Sequence, residues 1–149
     1  MLLMVSAQGI AMVKAFEGFR ADAYLDIGGV PTIGYGETQG VKMGDTVSEL
    51  EASADLKLRL DHDFTPRVID ALPKFSGRMN SNELDALVSL AYNIGSAGFA
   101  TSTLARLLEA GDVLNAAEQF ALWNHTGGNE VRALTKRRAH EMRVFLSGY

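Results

Sequence analysis

Apolar residues recur at helical spacing along most of this chain, and in one stretch that period is lost. Ile10, Val13 and Phe16 approximate a single stripe. Ser6 stands where an N-cap belongs and Gly18 where a C′ glycine ends a helix, so the pattern predicts a first helix with Glu17 in its last turn. From Phe19 to about Val41, Tyr24, Val30, Thr32, Ile33 and Tyr35 alternate with glycines, and Gly28-Gly29 supplies a turn. This predicts a small hairpin or three-stranded sheet. Ser48-Glu49-Leu50-Glu51 matches a capping box and opens a long predicted helix running to about Ile69, broken near Pro66. Asn80 or Ser81 caps the next helix, in which Leu84, Leu87, Val88 and Ala91 fall at i, i+3, i+4 and i+7 and which Gly95 stops. Leu104, Leu107 and Leu108 mark a short helix ending at Gly111, and Val113, Ala116, Ala117, Phe120 and Trp123 mark another. A last helix follows the loop Asn124–Asn129 and runs to about Leu146. The expected class is α+β, mostly helical. A small N-terminal antiparallel β lobe is joined by a long helix to a larger C-terminal helical lobe, all in one domain over residues 1–149, with parts at about 1–47, 48–70 and 71–149.

Composition narrows what such a fold can do. With 149 residues, 47% of them hydrophobic, the chain can bury a core unaided. It has no cysteine, which excludes disulfides and thiolate metal sites. His62, His125 and His140 lack ligand-like spacing with nearby acids, so no metal and no cofactor is expected. Residues 1–130 carry 9 Lys and Arg against 17 Asp and Glu, whereas residues 131–149 carry 5 against 1: a basic end on an acidic body. Arg132, Lys136, Arg137, Arg138 and Arg143 form either a solvated helix face or a patch for an anionic polymer. No nucleic-acid partner is expected, since the chain is net acidic and lacks a recognisable reading motif. The segment Met1–Ile10 is apolar but is interrupted at Gln8 and ended by Lys14, short of a membrane span, and is read as neither signal peptide nor anchor.

The candidate chemistry lies where the first helix meets the glycine-rich strands. Glu17, Asp26 and Thr32 offer two carboxyls and a hydroxyl on neighbouring elements. Glycoside hydrolysis needs one carboxyl to protonate the leaving oxygen and a second to stabilise positive charge or activate a nucleophile. The helix end and partial burial beside Phe16 or Phe19 both disfavour a charged Glu17, the direction a general acid requires. A hairpin loop of Gly28 to Val30 would pair Asp26 directly with Thr32, and that register is expected because it unites acid and hydroxyl. Each residue also has a plainer role: Asp26 as a turn residue, Thr32 as a strand residue, Tyr92 and Trp123 as core.

The segment Glu17–Asp26 with Gly29-Val30-Pro31-Thr32-Ile33-Gly34-Tyr35-Gly36 closely resembles the active-site signature of phage-type lysozymes, glycoside hydrolase family 24. The resemblance continues through Leu84–Gly95, Ser102-Thr103-Leu104, Ala116–Phe120, Trp123 and Arg137-Arg138, nearly the whole chain. It implies a lysozyme-like fold and an endolysin that hydrolyses the β-1,4 bond between N-acetylmuramic acid and N-acetylglucosamine in peptidoglycan. By position, Glu17 is expected as general acid, with Asp26 and Thr32 holding the attacking water. An inverting course would place the carboxyls about 6.5–9.5 Å apart. Tyr92 and Thr103 fall where the family lines its sugar cleft. One arginine of the pair 137–138 would orient Glu17; Arg137 is the candidate, with Arg138 left open. The resemblance further implies a monomer acting on peptidoglycan glycan strands, held in the host cytoplasm until a holin releases it to the periplasmic wall. Two departures stand out: Glu37 where relatives often have histidine, and Ala133 where a Gly-Leu pair is usual. A third carboxylate beside Glu17 would disfavour its charged form further. A lytic transglycosylase, or a non-catalytic peptidoglycan-binding module on the same fold, are the alternatives. Retention of Asp26 and Thr32 argues against the first, and retention of Glu17 against the second.

Overall fold

The computed structural model describes residues 3–148; Met1 and Leu2, which open the apolar N-terminal segment, and Tyr149 lie outside them. The first helix, α1, spans Ala7–Glu17. Ser6 caps it, its hydroxyl accepting from the Gly9 N–H at 3.1 Å. At the other end Gly18 turns to φ 70, and its N–H bonds the Lys14 carbonyl at 2.9 Å. Glu17 is therefore the last helical residue, carried on a rigid element.

Strands β1 (Arg20–Leu25) and β2 (Pro31–Gly34) pair antiparallel, with Tyr24 opposite Thr32 and Leu25 opposite Pro31. The expected direct pairing of Asp26 with Thr32 is therefore wrong by two residues. The loop is three residues long but lies one position earlier than expected, at 27–29, because Asp26 closes it against Val30: its N–H bonds the Val30 carbonyl at 3.0 Å, its carbonyl accepts from Gly29 at 2.9 Å, and its carboxylate accepts from the Val30 N–H at 2.8 Å. An even shift preserves the face of a strand, so Asp26 and Thr32 still belong to one side of the hairpin, as diagonal neighbours. Residues 45–47 complete a partial third strand, with Ala23 donating to the Asp45 carbonyl at 3.0 Å and Val47 to that of Ala21 at 2.9 Å.

The long helix begins with the capping box as expected, Ser48 and Glu51 each bonding the other's N–H at 3.1 Å. Helix α2 (Glu49–Arg59) passes into a π-helical turn over Leu60–Phe64 and on into α3 (Thr65–Ala71). The predicted break at Pro66 is thus a widened turn just before it. Thr65 bonds back to the Leu60 carbonyl, one residue farther than in an α-helix, and Pro66 sits in the first turn of α3, where its missing N–H is tolerated.

Helix α4 (Ser81–Ile94), capped by Asn80 and closed at Gly95, is the axis of the helical lobe. Leu84, Leu87, Val88 and Ala91 are buried as predicted, but so are Glu83, Asp85 and Ser89, so this helix is enclosed on all sides over 83–91. Around it stand α5 (Ser96–Ala100), α6 (Thr103–Glu109), α7 (Val113–Glu118) and α8 (Arg132–Leu146). Phe75, Phe99, Phe120 and Phe145 fill the core between them. The predicted loop before α8 holds a two-residue ribbon, β3 (His125–Thr126) against β4 (Asn129–Glu130), turned by Gly127 and Gly128, both at positive φ. Among the described residues no helix is long and apolar enough to cross a membrane.

Asp85 ties α4 to α1. Its carboxylate accepts the Ser6 N–H at 2.8 Å and the Ser6 hydroxyl, and it lies so close that a Cβ on Gly9 would fall 2.5 Å from it. Burial pushes the Asp85 carboxyl above the ordinary aspartate value, against the two Ser6 hydrogen bonds that lower it. A raised folded-state pKa means that the folded chain holds this proton more tightly than the unfolded chain. The associated stabilisation is complete below the unfolded value, about 3.9, and is lost as pH rises through the folded one. Asp85→Asn cannot titrate and keeps an acceptor for Ser6. Wild type is therefore expected to lose stability relative to Asp85→Asn between about pH 3 and neutrality, as read by paired thermal melts. A constant difference across that range would refute the assignment.

Candidate active site

Glu17 reaches from the end of α1 into a corner made by the turn after β2. Ile33 and Glu37 exchange both backbone hydrogen bonds at 2.9 Å, and the three residues between them include Gly34 and Gly36, at φ 62 and 84. Gly36 is required twice over: its backbone is left-handed, and a Cβ there would stand 3.0 Å from Glu17 Oε2 and 3.5 Å from the Tyr92 hydroxyl. The arginine that meets Glu17 is Arg137, whose Nη1 donates to Oε1 at 2.8 Å. Oε2, facing Gly36, has no hydrogen-bond partner among the described residues, so one carboxyl oxygen is held and the other is not.

Arg137 and Arg138 are both buried, which takes two of the five C-terminal basic residues out of any anion-binding face. Their guanidiniums converge on Glu141, whose side chain is fully buried. Arg137 Nε lies 3.1 Å from Glu141 Oε1, and Arg138 Nε lies 2.7 Å from Oε2. Burial pushes the Glu141 carboxyl upward, opposed first by the Arg138 charge, and the same burial lowers the Arg138 guanidinium. On its other side Arg137 lies over the Phe16 ring, 4.8 Å from its centroid.

Glu37 does not act as a loose third carboxylate. Its Oε2 pairs with Arg59 Nε at 2.6 Å, and its Oε1 accepts the N–H groups of Thr38 and Gln39 at 2.8 Å each. Arg59 also donates from Nη1 to the Tyr92 hydroxyl at 2.7 Å, and that hydroxyl donates to the Tyr35 carbonyl at 2.6 Å. Burial pushes the Tyr92 hydroxyl up to about 12, so it stays a neutral donor. Tyr92 thus joins α4 to the glycine corner beside Glu17, with its hydroxyl occupied. Sequence reasoning missed Arg59; its signal would have been a cation at the end of α2, facing Glu37.

Asp26 and Thr32 form a second group, joined through the backbone of Val30. The Val30 N–H is bound by Asp26 Oδ1 and its carbonyl by the Thr32 hydroxyl, the latter at 2.9 Å. Thr32 is buried. Strand β2 and its turn carry the chain from Thr32 to Gly36 in four residues, so the same short rigid segment borders both groups. Thr103, the first residue of α6, is exposed, and among the described residues no hydrogen bond links it to either group. Trp123 is half-buried and packs on the core. Among the described residues no cluster of His, Asp and Glu could hold a metal ion.

Residues 14–141 match the phage lysozyme family. The chain is 36% identical over 147 residues to the endolysin of Salmonella phage P22, with 98% of this chain and all of that protein covered. It is also 36% identical to the endolysin of Bacillus phage B103, but spans only 54% of that longer protein. Among solved structures, a P22 lysozyme mutant superposes with a TM-score of 0.83 at 36% identity, covering 97% of this chain and 99% of that one. The muramidase domain of SpmX from Asticaccaulis excentricus gives 0.82 at 33% identity, with the same coverage. With the terminal glutamate of α1, the glycine corner and the buried arginines all inside the matched segment, the chain belongs to the phage lysozyme family, a family of lysozyme enzymes.

Proposed function

We propose that this protein is an endolysin that lyses the bacterial wall by hydrolysing the bond between N-acetylmuramic acid and N-acetylglucosamine, with Glu17 as general acid and a water held by Asp26 and Thr32. The observation that carries the reading is the division of labour at Glu17: Arg137 holds Oε1, leaving Oε2 free beside Gly36. A proton on Oε2 passes to the glycosidic oxygen as the C1–O bond breaks and positive charge grows on the sugar. The Thr32 hydroxyl spends its hydrogen on the Val30 carbonyl, so toward the cleft it can only accept. Asp26 uses Oδ1 on the Val30 N–H, which leaves Oδ2 as a second acceptor. A water that donates to both turns its lone pair toward C1, and Asp26 takes its proton as the new bond forms. In this reading attack comes from the face opposite the leaving group, and the anomeric configuration inverts. Tyr92 supports the glycine corner, and Thr103 lies along the glycan path. The reading includes a monomer that waits in the host cytoplasm for a holin.

Digestion of purified peptidoglycan, with mass spectrometry of the new ends, tests it. Reducing N-acetylmuramic acid ends are expected; 1,6-anhydro ends would make the protein a transglycosylase, and no product from folded protein would make it a binding module. Asp26→Asn should lower turnover roughly 10²-fold or more, since the amide is no base. Thr32→Ala should cost less, about tenfold, because a second water can fill the gap. Equal rates for Thr32→Ala and wild type would make the hydroxyl purely structural.

A further inference from the structure

We propose that Glu141 is a positioning residue for the reaction, acting on Glu17 through Arg137; this rests on Glu17 being the general acid. Glu141 makes no hydrogen bond to Glu17 among the described residues, yet it fixes the group that does. The three nitrogens of the Arg137 fork are each assigned: Nε to Glu141 at 3.1 Å, Nη1 to Glu17 at 2.8 Å and Nη2 to the Ser89 carbonyl at 3.2 Å. Three contacts on a planar group determine its plane, with the Phe16 ring alongside. Glu141 is in turn immobile, because its Oε1 also accepts the Ser89 hydroxyl at 2.7 Å and Arg138 Nη2 at 3.1 Å. The Ser89 side chain thus braces the same pair, lying 3.4 Å from Arg137 Nη2.

Charge count leads to the same place. Two guanidiniums stand against the carboxyls of Glu141 and Glu17, so the four groups balance when Glu17 is ionised, the state in which donating its proton leaves it. Glu141 alone neutralises only one guanidinium, and the unmatched one is turned toward Glu17. A glutamate that served packing alone would not need to face Nε of the one arginine whose next nitrogen holds the acid.

The test uses full-length protein and soluble peptidoglycan fragments. Wild type is compared with Glu17→Gln, Arg137→Lys, Glu141→Gln and the double variant of the last two. Loss of turnover in Glu17→Gln establishes the acid. Glu141→Gln should then lower kcat by about tenfold to a hundredfold at nearly unchanged KM, since misplacing a reacting group by about 1 Å costs that much. The double variant should be no slower than Arg137→Lys, because the loss passes through Arg137. The Arg137 Nε–H resonance should shift and exchange faster in Glu141→Gln than in wild type, since a neutral amide oxygen is a weaker acceptor than the carboxylate. Should Glu141→Gln fail to fold, Ser89→Ala should show a few-fold fall in kcat, again absent on an Arg137→Lys background. Additive losses, wild-type kcat in the folded variant, or an unchanged Arg137 resonance would overturn the proposal. Turnover surviving in Glu17→Gln would overturn the acid assignment and this role with it, while the resonance would still report whether Glu141 fixes the guanidinium.

Discussion

Glu17→Gln is expected to melt cooperatively like wild type and to lose at least about 10³-fold in turnover, the upper part of what general acid catalysis supplies. The substitution leaves volume nearly constant, and the amide oxygen can still accept from Arg137 Nη1 as Oε1 does at 2.8 Å. The amide nitrogen then takes the place of Oε2 beside Gly36. That nitrogen can donate a hydrogen bond to the glycosidic oxygen but cannot release a proton to it, so the substrate still binds and the leaving group is not protonated. Unchanged release of reducing ends, measured beside a circular-dichroism melt of the same sample, would remove Glu17 from the mechanism. A mutant that failed to fold would be set aside in favour of Glu17→Asp, which keeps the acid but withdraws it by one methylene. It should retain a small fraction of the rate.

The helices were legible because their signals are local. Ser48 and Glu51 cap each other within one turn, Asn80 and Gly95 bracket α4, and Gly18 ends α1 directly after Glu17. The hairpin register was not, because the deciding contact is made by a side chain: Asp26 reaches forward to the Val30 N–H and closes the loop one position earlier. Nor could the sequence show that Asp85 and Ser89, in an apparently amphipathic helix, are buried and bonded to Ser6 and Glu141. The choice between Arg137 and Arg138 was closed to sequence for a related reason. Neighbours on a helix point about 100° apart, and which of them meets Glu17 depends on how α8 is rotated against α4. That rotation is fixed by tertiary contacts such as buried Phe145 and Glu141. Glu37 was visible as a departure, but its partner was not, since Arg59 lies 22 positions away in sequence, on α2.

Arg138→Ala is expected to destabilise the fold by about 3–5 kcal/mol, the cost of breaking a buried ion pair from one side. The Arg138 side chain has no solvent exposure, and its guanidinium lies 2.7 Å from Glu141 Oε2. Burial lowers the Arg138 guanidinium and raises the Glu141 carboxyl, so each charge is tolerated inside because the other is present. Truncation leaves Glu141 sharing Arg137 with Glu17, two carboxylates on one guanidinium. Arg138→Met separates charge from volume: it refills the space yet should remain almost as unstable, because the uncompensated carboxylate is still there. Arg138→Met combined with Glu141→Leu should recover most of the loss, since a buried pair replaced whole by apolar groups is often neutral. That double variant leaves Arg137 balanced against Glu17 alone, but without the anchor at Nε. Thermal unfolding should therefore show stability restored while kcat stays low, which divides the quartet into a part that holds the fold and a part that aims the acid. A single variant as stable as wild type would show that Glu141 finds its compensation elsewhere, and the charge-balance account of this site would fail.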